Sequence, residues 1–128
     1  KERTPMGQTR VNIITLLTLR NKPRKYISQV IGFAEQNCYY KLDKGTLSLG
    51  QISKIAKSLN SEAIPIMTIG KERAYISPDD TNATLSVAEL ERVAEAVKGS
   101  FEVAFLLSDN FEISAYSQGK LQRIMRCS

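Results

Sequence analysis

The stretch ISQVIGFAEQNCYYKLDKGTLSLGQISKIAKSLN, residues 27–60, decides the fold of the first half of this chain. Its apolar residues recur every three or four positions, which is the spacing of a helix with one buried face. Gly32 interrupts this pattern at a place where helices commonly end in a left-handed residue. The stretch therefore predicts two short helices, at about 24–31 and 34–42, joined by a tight turn.

Two more helices are predicted around this pair. Ser48 is a good N-cap, and Gln51 three residues later completes a capping box. The helix that they begin has an apolar face formed by Ile52, Ile55, Ala56 and Leu59. The apolar run of residues 9–20 stops shortly before Pro23, which predicts a preceding helix. Residues 9–60 are thus expected to form a four-helix domain, preceded by a flexible basic arm at 1–8.

Residues 61–128 are expected to form a unit of one helix and an antiparallel sheet. Ser86 and Glu89 form a second capping box, and Gly99 ends the helix that they begin. Strands are predicted at about 63–69, 73–77, 101–108, 111–117 and 120–126. Pro65 cannot donate to a sheet, so the first of these strands should be an edge strand or an irregular one. The predicted fold class is α+β.

The two halves contain segments that align without gaps. TLSLGQISKIAKSLNSEAIPIMTI (46–69) matches TLSVAELERVAEAVKGSFEVAFLL (84–107). The identical pairs are Thr46/Thr84, Leu47/Leu85, Ser48/Ser86 and Ala56/Ala94. A capped helix, a strand and a hairpin would form the repeated unit. The alternative is that two capped amphipathic helices look alike without a shared unit.

Charge is distributed unevenly along the chain, whose net charge is +5. Residues 1–60 hold eleven Lys and Arg against three acidic residues, a net +8, whereas 61–128 hold seven against ten, a net −3. This asymmetry predicts that only the first half meets a polyanion, and a solvated charged surface is the alternative. The chain contains two cysteines and no histidine, so we expect a cytoplasmic protein without a metal, a cofactor or a catalytic centre.

In residues 23–60, and more weakly in the helix before them, the chain resembles the Cro/repressor-type (lambda-repressor-like, XRE) helix-turn-helix proteins. The resemblance rests on Ile27, Ser28, Ile31 and Gly32, on Cys38 as the buried residue, and on Ile52, Ile55, Ala56 and Leu59 of the packing helix. Residues 37–42 with Leu47 are similar to a variant common in Gram-positive bacteria and their phages. The chain departs from the family at Ala34, where many members have serine, and this weakens the N-cap of the third helix.

The resemblance implies that the helix after Gly32 lies in the major groove of DNA. The base-contacting positions of the family fall on Glu35, Gln36 and Tyr40. The phosphate contacts fall on Arg24 and Lys25, with Lys41 and Lys44 at the end of the helix and Arg3 and Arg10 of the N-terminal arm as further candidates. Glu35 alternatively complements the positive end of its helix. Tyr39 is expected in the core, with a DNA contact as the alternative.

The expected function is therefore that of a sequence-specific double-stranded-DNA-binding transcriptional regulator, a repressor of phage or mobile-element origin. Because the two halves of a half-palindromic DNA site each bind one recognition helix, we expect a homodimer that forms through residues 61–128. The alternative is an antitoxin or anti-CRISPR-type inhibitor whose C-terminal region binds another protein. No membrane association is expected, since the chain lacks an apolar run of roughly 18 residues.

Overall fold

The computed structural model describes residues 7–76, 83–107 and 112–114. The helices in this part of the chain are α1 (Gln8–Leu19), α2 (Tyr26–Ile31), α3 (Glu35–Lys44), α4 (Leu49–Ser58) and α5 (Val87–Ala96). The strands are β1 (Ser61–Ile69), β2 (Glu72–Tyr75), β3 (Ser100–Leu107) and β4 (Glu112–Ile113). The predicted α+β class is confirmed, and the strand predicted at 120–126 lies outside the described residues. None of these helices is long and apolar enough to cross a membrane.

The four strands form one antiparallel sheet in the order β2-β1-β3-β4. β1 therefore lies inside the sheet, and of the two alternatives predicted from Pro65, the edge strand is wrong. Pro65 is tolerated because it stands at the end of the β1–β2 pairing, where a ladder hydrogen bond is least needed. Its carbonyl still accepts the Ile76 N–H at 2.9 Å.

The segments 46–69 and 84–107 fold in the same way, so the predicted repeat is confirmed. Ser48 and Ser86 each begin a ten-residue helix with a complete capping box. Each helix leads into its strand through a residue with positive φ, 55° at Asn60 and 61° at Lys98. This shared turn and the strand that follows it go beyond what two similar amphipathic helices would produce.

A pseudo-twofold axis relates the two repeat units. Residue 46 corresponds to residue 84 in the alignment, so Pro65 corresponds to Val103 and Ser48 to Ser86. Pro65 pairs with Val103 in the β1–β3 ladder. Ser48 forms an isolated antiparallel bridge with Ser86. Both pairings therefore join a residue to its own counterpart, as twofold symmetry requires.

Each repeat unit supplies hydrogen-bond acceptors for the first N–H groups of the helix in the other unit. The first two N–H groups of α4 and of α5 donate to carbonyls that precede the helix of the opposite unit. These hydrogen bonds run from Leu49 to Leu85 at 2.8 Å, from Val87 to Leu47 at 3.3 Å, from Gly50 to Ala83 at 2.9 Å and from Ala88 to Gly45 at 2.7 Å. Together with the serine caps, they satisfy donors that a helix cannot satisfy within itself.

α1 connects the first half of the chain to the outer side of β3. The buried Asn12 donates through Nδ2 to Glu102 Oε1 at 2.8 Å and to the Val103 carbonyl at 2.9 Å. Thr9 Oγ1 accepts the Val103 N–H at 3.0 Å. The side chains of Asn12 and Thr9 thus form the hydrogen bonds with the Val103 backbone that a neighbouring strand would otherwise form. Among the described residues, one hydrophobic cluster joins side chains of all five helices to β1, β3 and β4.

We expect Ser48→Ala and Ser86→Ala each to lower the free energy of unfolding by about 1 kcal/mol, because each removes a side-chain cap at the junction of the units. Denaturant unfolding measures this loss. Thr46→Ala, at an exposed position two residues before a cap, is the control and should change stability by less than about 0.5 kcal/mol. Cap variants that unfold like the control would contradict the role of the junction.

Candidate nucleic-acid interface

α2 and α3 are two short helices joined by a turn at residues 32–34. Gly32 caps α2 with a φ of +86°, in the left-handed region that favours glycine. α2 packs on α4, and the Tyr26 hydroxyl donates to Ser58 Oγ at 3.0 Å. Ala34 precedes α3 in an extended conformation and offers no side-chain cap, as predicted.

α3 has one buried face and one exposed face. Cys38 and Leu42 belong to the hydrophobic cluster, and the prediction that Cys38 is a buried hydrophobic residue is confirmed. Burial raises the pKa of the Cys38 thiol above its usual value, which suits a packing role. Glu35 and Gln36 are exposed, and Tyr40 retains 62% of its surface. The three predicted base-contacting residues therefore share the free side of the helix.

Around α2 and α3, within the described part of the chain, four cationic groups lie over aromatic rings. The distances to the ring centroids are 5.1 Å for Lys22 over Tyr26, 4.9 Å for Arg24 over Tyr39, 5.2 Å for Lys41 over Phe33 and 5.9 Å for Lys44 over Tyr40. A cation over a ring is held by the negative potential of the ring face. Since three of these rings belong to α3 or to the turn before it, positive charge is held beside the recognition face predicted from the sequence.

The predicted phosphate-contacting residues divide into two groups. Arg24, Lys25 and Lys44 are exposed and Lys41 is half-buried, all on α3 or at the start of α2. Arg10 instead forms an ion pair with Asp43, with Nε 2.7 Å from Oδ1, near the C-terminal end of α3. Arg3 lies outside the described residues.

Two residues of this surface, Lys22 and Phe33, were not predicted from the sequence. For a third, Tyr39, the expectation of a core position is wrong. Tyr39 is only half-buried, and its ring faces the Arg24 guanidinium. The sequence feature that could have identified these residues is the alternation of basic and aromatic residues between positions 22 and 44.

Glu91 of α5 brings a buried carboxyl group to the C-terminal end of α3. It is 8% exposed, and neither carboxyl oxygen has a hydrogen-bond partner in the described part of the chain. A Cβ added to Gly45, which ends α3, would lie 3.7 Å from Glu91 Oε1. Burial, and secondly repulsion by Glu95, raises the pKa of Glu91 to about 7.

In residues 7–76, 83–107 and 112–114, no three His, Cys, Asp or Glu side chains are grouped in a way that could hold a metal ion. The chain matches no protein-family model, no curated protein and no solved structure. The function proposed below therefore rests on the residues of this surface and on their geometry.

We expect the stability of the protein to fall as the pH rises from about 4.5 to about 7, the range between the ordinary pKa of a glutamate and that of Glu91. In this range the unfolded chain loses its proton while the buried carboxyl keeps it. Glu91→Gln removes this pH dependence. Compared with the wild type, the variant should therefore gain about 1–3 kcal/mol more free energy of unfolding at pH 8 than at pH 4.

Denaturant unfolding of both proteins across this pH range makes the comparison. Glu72→Gln, at an exposed position of β2, is the control and should leave the pH dependence unchanged. If the stability difference between Glu91→Gln and the wild type is the same at pH 4 and pH 8, the raised pKa of Glu91 is refuted.

Proposed function

We propose that the protein is a sequence-specific double-stranded-DNA-binding transcriptional regulator of the repressor type, and that it acts as a homodimer. In this proposal residues 9–60 are a lambda-repressor-like helix-turn-helix domain, with α3 as the recognition helix. The observation that carries it is the division of α3 into a face buried through Cys38 and Leu42 and a free face of hydrogen-bonding side chains.

The free face of α3 has the chemistry needed to read base edges. Gln36 can donate to and accept from an adenine in the major groove, and Glu35 can accept from the amino group of a cytosine. Tyr40 lies one turn further along the same face. A helix that is packed through only one side can enter the groove with the other.

The cations around α2 and α3 would position the helix by binding phosphates. Arg24 and Lys25 precede α2, whereas Lys41 and Lys44 lie in the last turn of α3. Rings under Arg24, Lys41 and Lys44 restrict these long side chains, so less conformational entropy is lost when they bind a phosphate. In this arrangement Arg10 contacts DNA only by exchanging Asp43 for a phosphate.

A second candidate function is that of an antitoxin or anti-CRISPR-type inhibitor whose C-terminal region binds another protein. It is favoured by the exposed apolar side chains of Val93 in α5 and of Val97, the residue that caps the C-terminal end of this helix. Both functions are compatible with a DNA-binding first half. They differ in whether residues 61–128 contact a second copy of this chain or an unrelated protein.

Binding to the promoter of its own gene is expected to weaken steeply with salt. If each of two subunits neutralises roughly three or four phosphates, the plot of log K against log salt concentration should have a slope of about −5 to −7. Fluorescence anisotropy with a labelled promoter fragment measures it. A slope near zero, or no binding at low salt, would remove the DNA-binding function.

Substitutions should separate base recognition from phosphate binding. Gln36→Ala is expected to cost roughly 1–3 kcal/mol on the preferred sequence and to relax the preference at one base pair. Lys44→Ala should weaken binding to all sequences alike and make the salt slope shallower by about one per subunit. Selection of bound sequences from random DNA identifies the site, and titrations with it compare the variants. If Gln36→Ala behaves like Lys44→Ala, α3 does not read bases in this way.

A further inference from the structure

The end of α3 and the start of α5 meet beside a buried carboxyl group. Gly45, the C-cap of α3, accepts the Ala88 N–H of α5 at 2.7 Å. Glu91 Oε1 lies 3.7 Å from the position of a Cβ added to the same glycine. Glu91 is 8% exposed, and neither of its carboxyl oxygens has a hydrogen-bond partner among the described residues. The junction of the two helices therefore holds a group that is accommodated at low cost only when it is uncharged.

We propose that the protonation state of Glu91 regulates the DNA-reading surface. With a neutral carboxyl group, the start of α5 holds the end of α3 in place. Loss of the proton loosens this contact and weakens DNA binding. The proposal rests on the function proposed above and adds a regulation of the same surface by pH.

The charged groups of α5 and of the strands beneath it do not neutralise a Glu91 carboxylate. On α5, Glu95 repels it, Glu89 accepts the Ser86 N–H at 2.8 Å, and Arg92 is exposed. The strands that pack on α5 carry Glu62 and Glu102, which alternate with residues of the hydrophobic cluster and so lie on the other face of the sheet. These groups are acidic or directed elsewhere, so none of them compensates a negative charge at Glu91.

The charged groups of α3 and α1 near this junction are already engaged. The ammonium groups of Lys41 and Lys44 lie over aromatic rings, and Arg10 pairs with Asp43. An ionised Glu91 would thus be a buried carboxylate without a partner, and it must gain water to be stable. Water reaches it when the start of α5 separates from the end of α3, which is a local opening of the fold.

Two consequences of ionisation act on α3 in the same direction. The opening removes the support of the helix end that carries Lys41 and Lys44, two of the proposed phosphate contacts. A carboxylate beside Gly45 also lies at the negative end of the helix dipole, and it competes with phosphates for the two lysines. Both consequences favour the protonated form in the DNA complex. DNA binding is then linked to proton uptake, so the affinity should fall as the pH rises.

The composition of the chain helps to isolate this titration. The chain has no histidine, and burial raises the pKa of the Cys38 thiol further from neutrality. Lysine, arginine, tyrosine and ordinary carboxyl groups change charge well outside the range from pH 6 to pH 8. Burial, and secondly repulsion by Glu95, raises the pKa of Glu91 to about 7, in the middle of this range. A pH dependence here that Glu91→Gln removes is therefore assigned to one carboxyl group.

The first experiment measures binding to a labelled duplex, selected from random DNA as above, between pH 6 and pH 8 at constant salt. The dissociation constant of the wild type should rise about three- to tenfold per bound chain, since a pKa difference of one unit between free and bound protein corresponds to tenfold. Glu91→Gln should bind equally at both ends of the range. Glu95→Gln should move the midpoint to lower pH, because it removes a repulsion. Glu72→Gln, at an exposed position of β2, is the control and should behave like the wild type.

The second experiment needs no DNA and follows backbone amide exchange. The Ala88 N–H reports on the junction, and the Thr46 N–H, which donates to the Lys41 carbonyl at 2.9 Å, reports on the end of α3. The protection factors of both should fall more than about threefold between pH 6 and pH 8 in the wild type and stay constant in Glu91→Gln. The Gly32 N–H, bonded to the Ser28 carbonyl at the end of α2, is the internal control for unfolding of the whole chain and should lose less protection.

The outcomes separate this proposal from the proposed function. A protein that binds no DNA but loses protection through Glu91 leaves the switch at the junction standing and removes the DNA-binding function. A protein that binds DNA with equal affinity at pH 6 and pH 8 overturns the proposal, and so does a pH dependence that Glu91→Gln retains. Constant protection of Ala88 and Thr46 in the wild type also overturns it.

Discussion

The structure depends on the hydrogen bonds by which the two repeat units complete the helix starts of each other. The Leu49 N–H donates to the carbonyl before Ser86, and the Val87 N–H donates to the carbonyl before Ser48. A helix start that is buried without partners for its first N–H groups is costly, so neither unit is complete alone. The close approach also restricts side-chain size. A Cβ added to Gly50 would lie 3.1 Å from the Ala83 carbonyl oxygen, so this contact pairs a glycine with an alanine.

This junction also determines where the candidate recognition helix ends. Gly45 caps α3 with a φ of +73°, and its carbonyl accepts the Ala88 N–H of the second unit at 2.7 Å. The end of α3 is thus bonded to the start of α5, and the buried carboxyl of Glu91 packs against the same glycine. The proposed DNA-reading surface is therefore held in place by the C-terminal half of the chain, although the charge of that half is opposite in sign.

Local features of the fold could be predicted from the sequence, whereas features that depend on distant residues could not. The capping boxes at Ser48 and Ser86 and the turn at Gly32 were predicted because their signals lie within a few residues. The interior position of β1 was not predicted, because it depends on pairing with two other strands. β2 pairs with β1 on one side, where the pairing ends at Pro65, and β3 pairs with β1 on the other side. Glu91 was missed for the same reason, since its carboxyl group is buried beside Gly45, which is distant in the sequence and ends α3.

The candidate site shows the same limit. The exposed face of α3 follows from helical spacing, so the placement of Glu35 and Gln36 could be predicted. The contact of Arg24 with Tyr39 depends on the angle between two helices, which no local pattern specifies.

The repeat also makes the outer faces of α4 and α5 directly comparable. A helix that packs one side on a sheet leaves its other side for a further layer. In the first unit that layer is α2, and the side chains beneath it are the larger Ile55 and Leu59. In the second unit the equivalent side chains are valines and remain exposed. A single architecture thus carries the α2–α3 helix pair on α4 and leaves the equivalent face of α5 exposed.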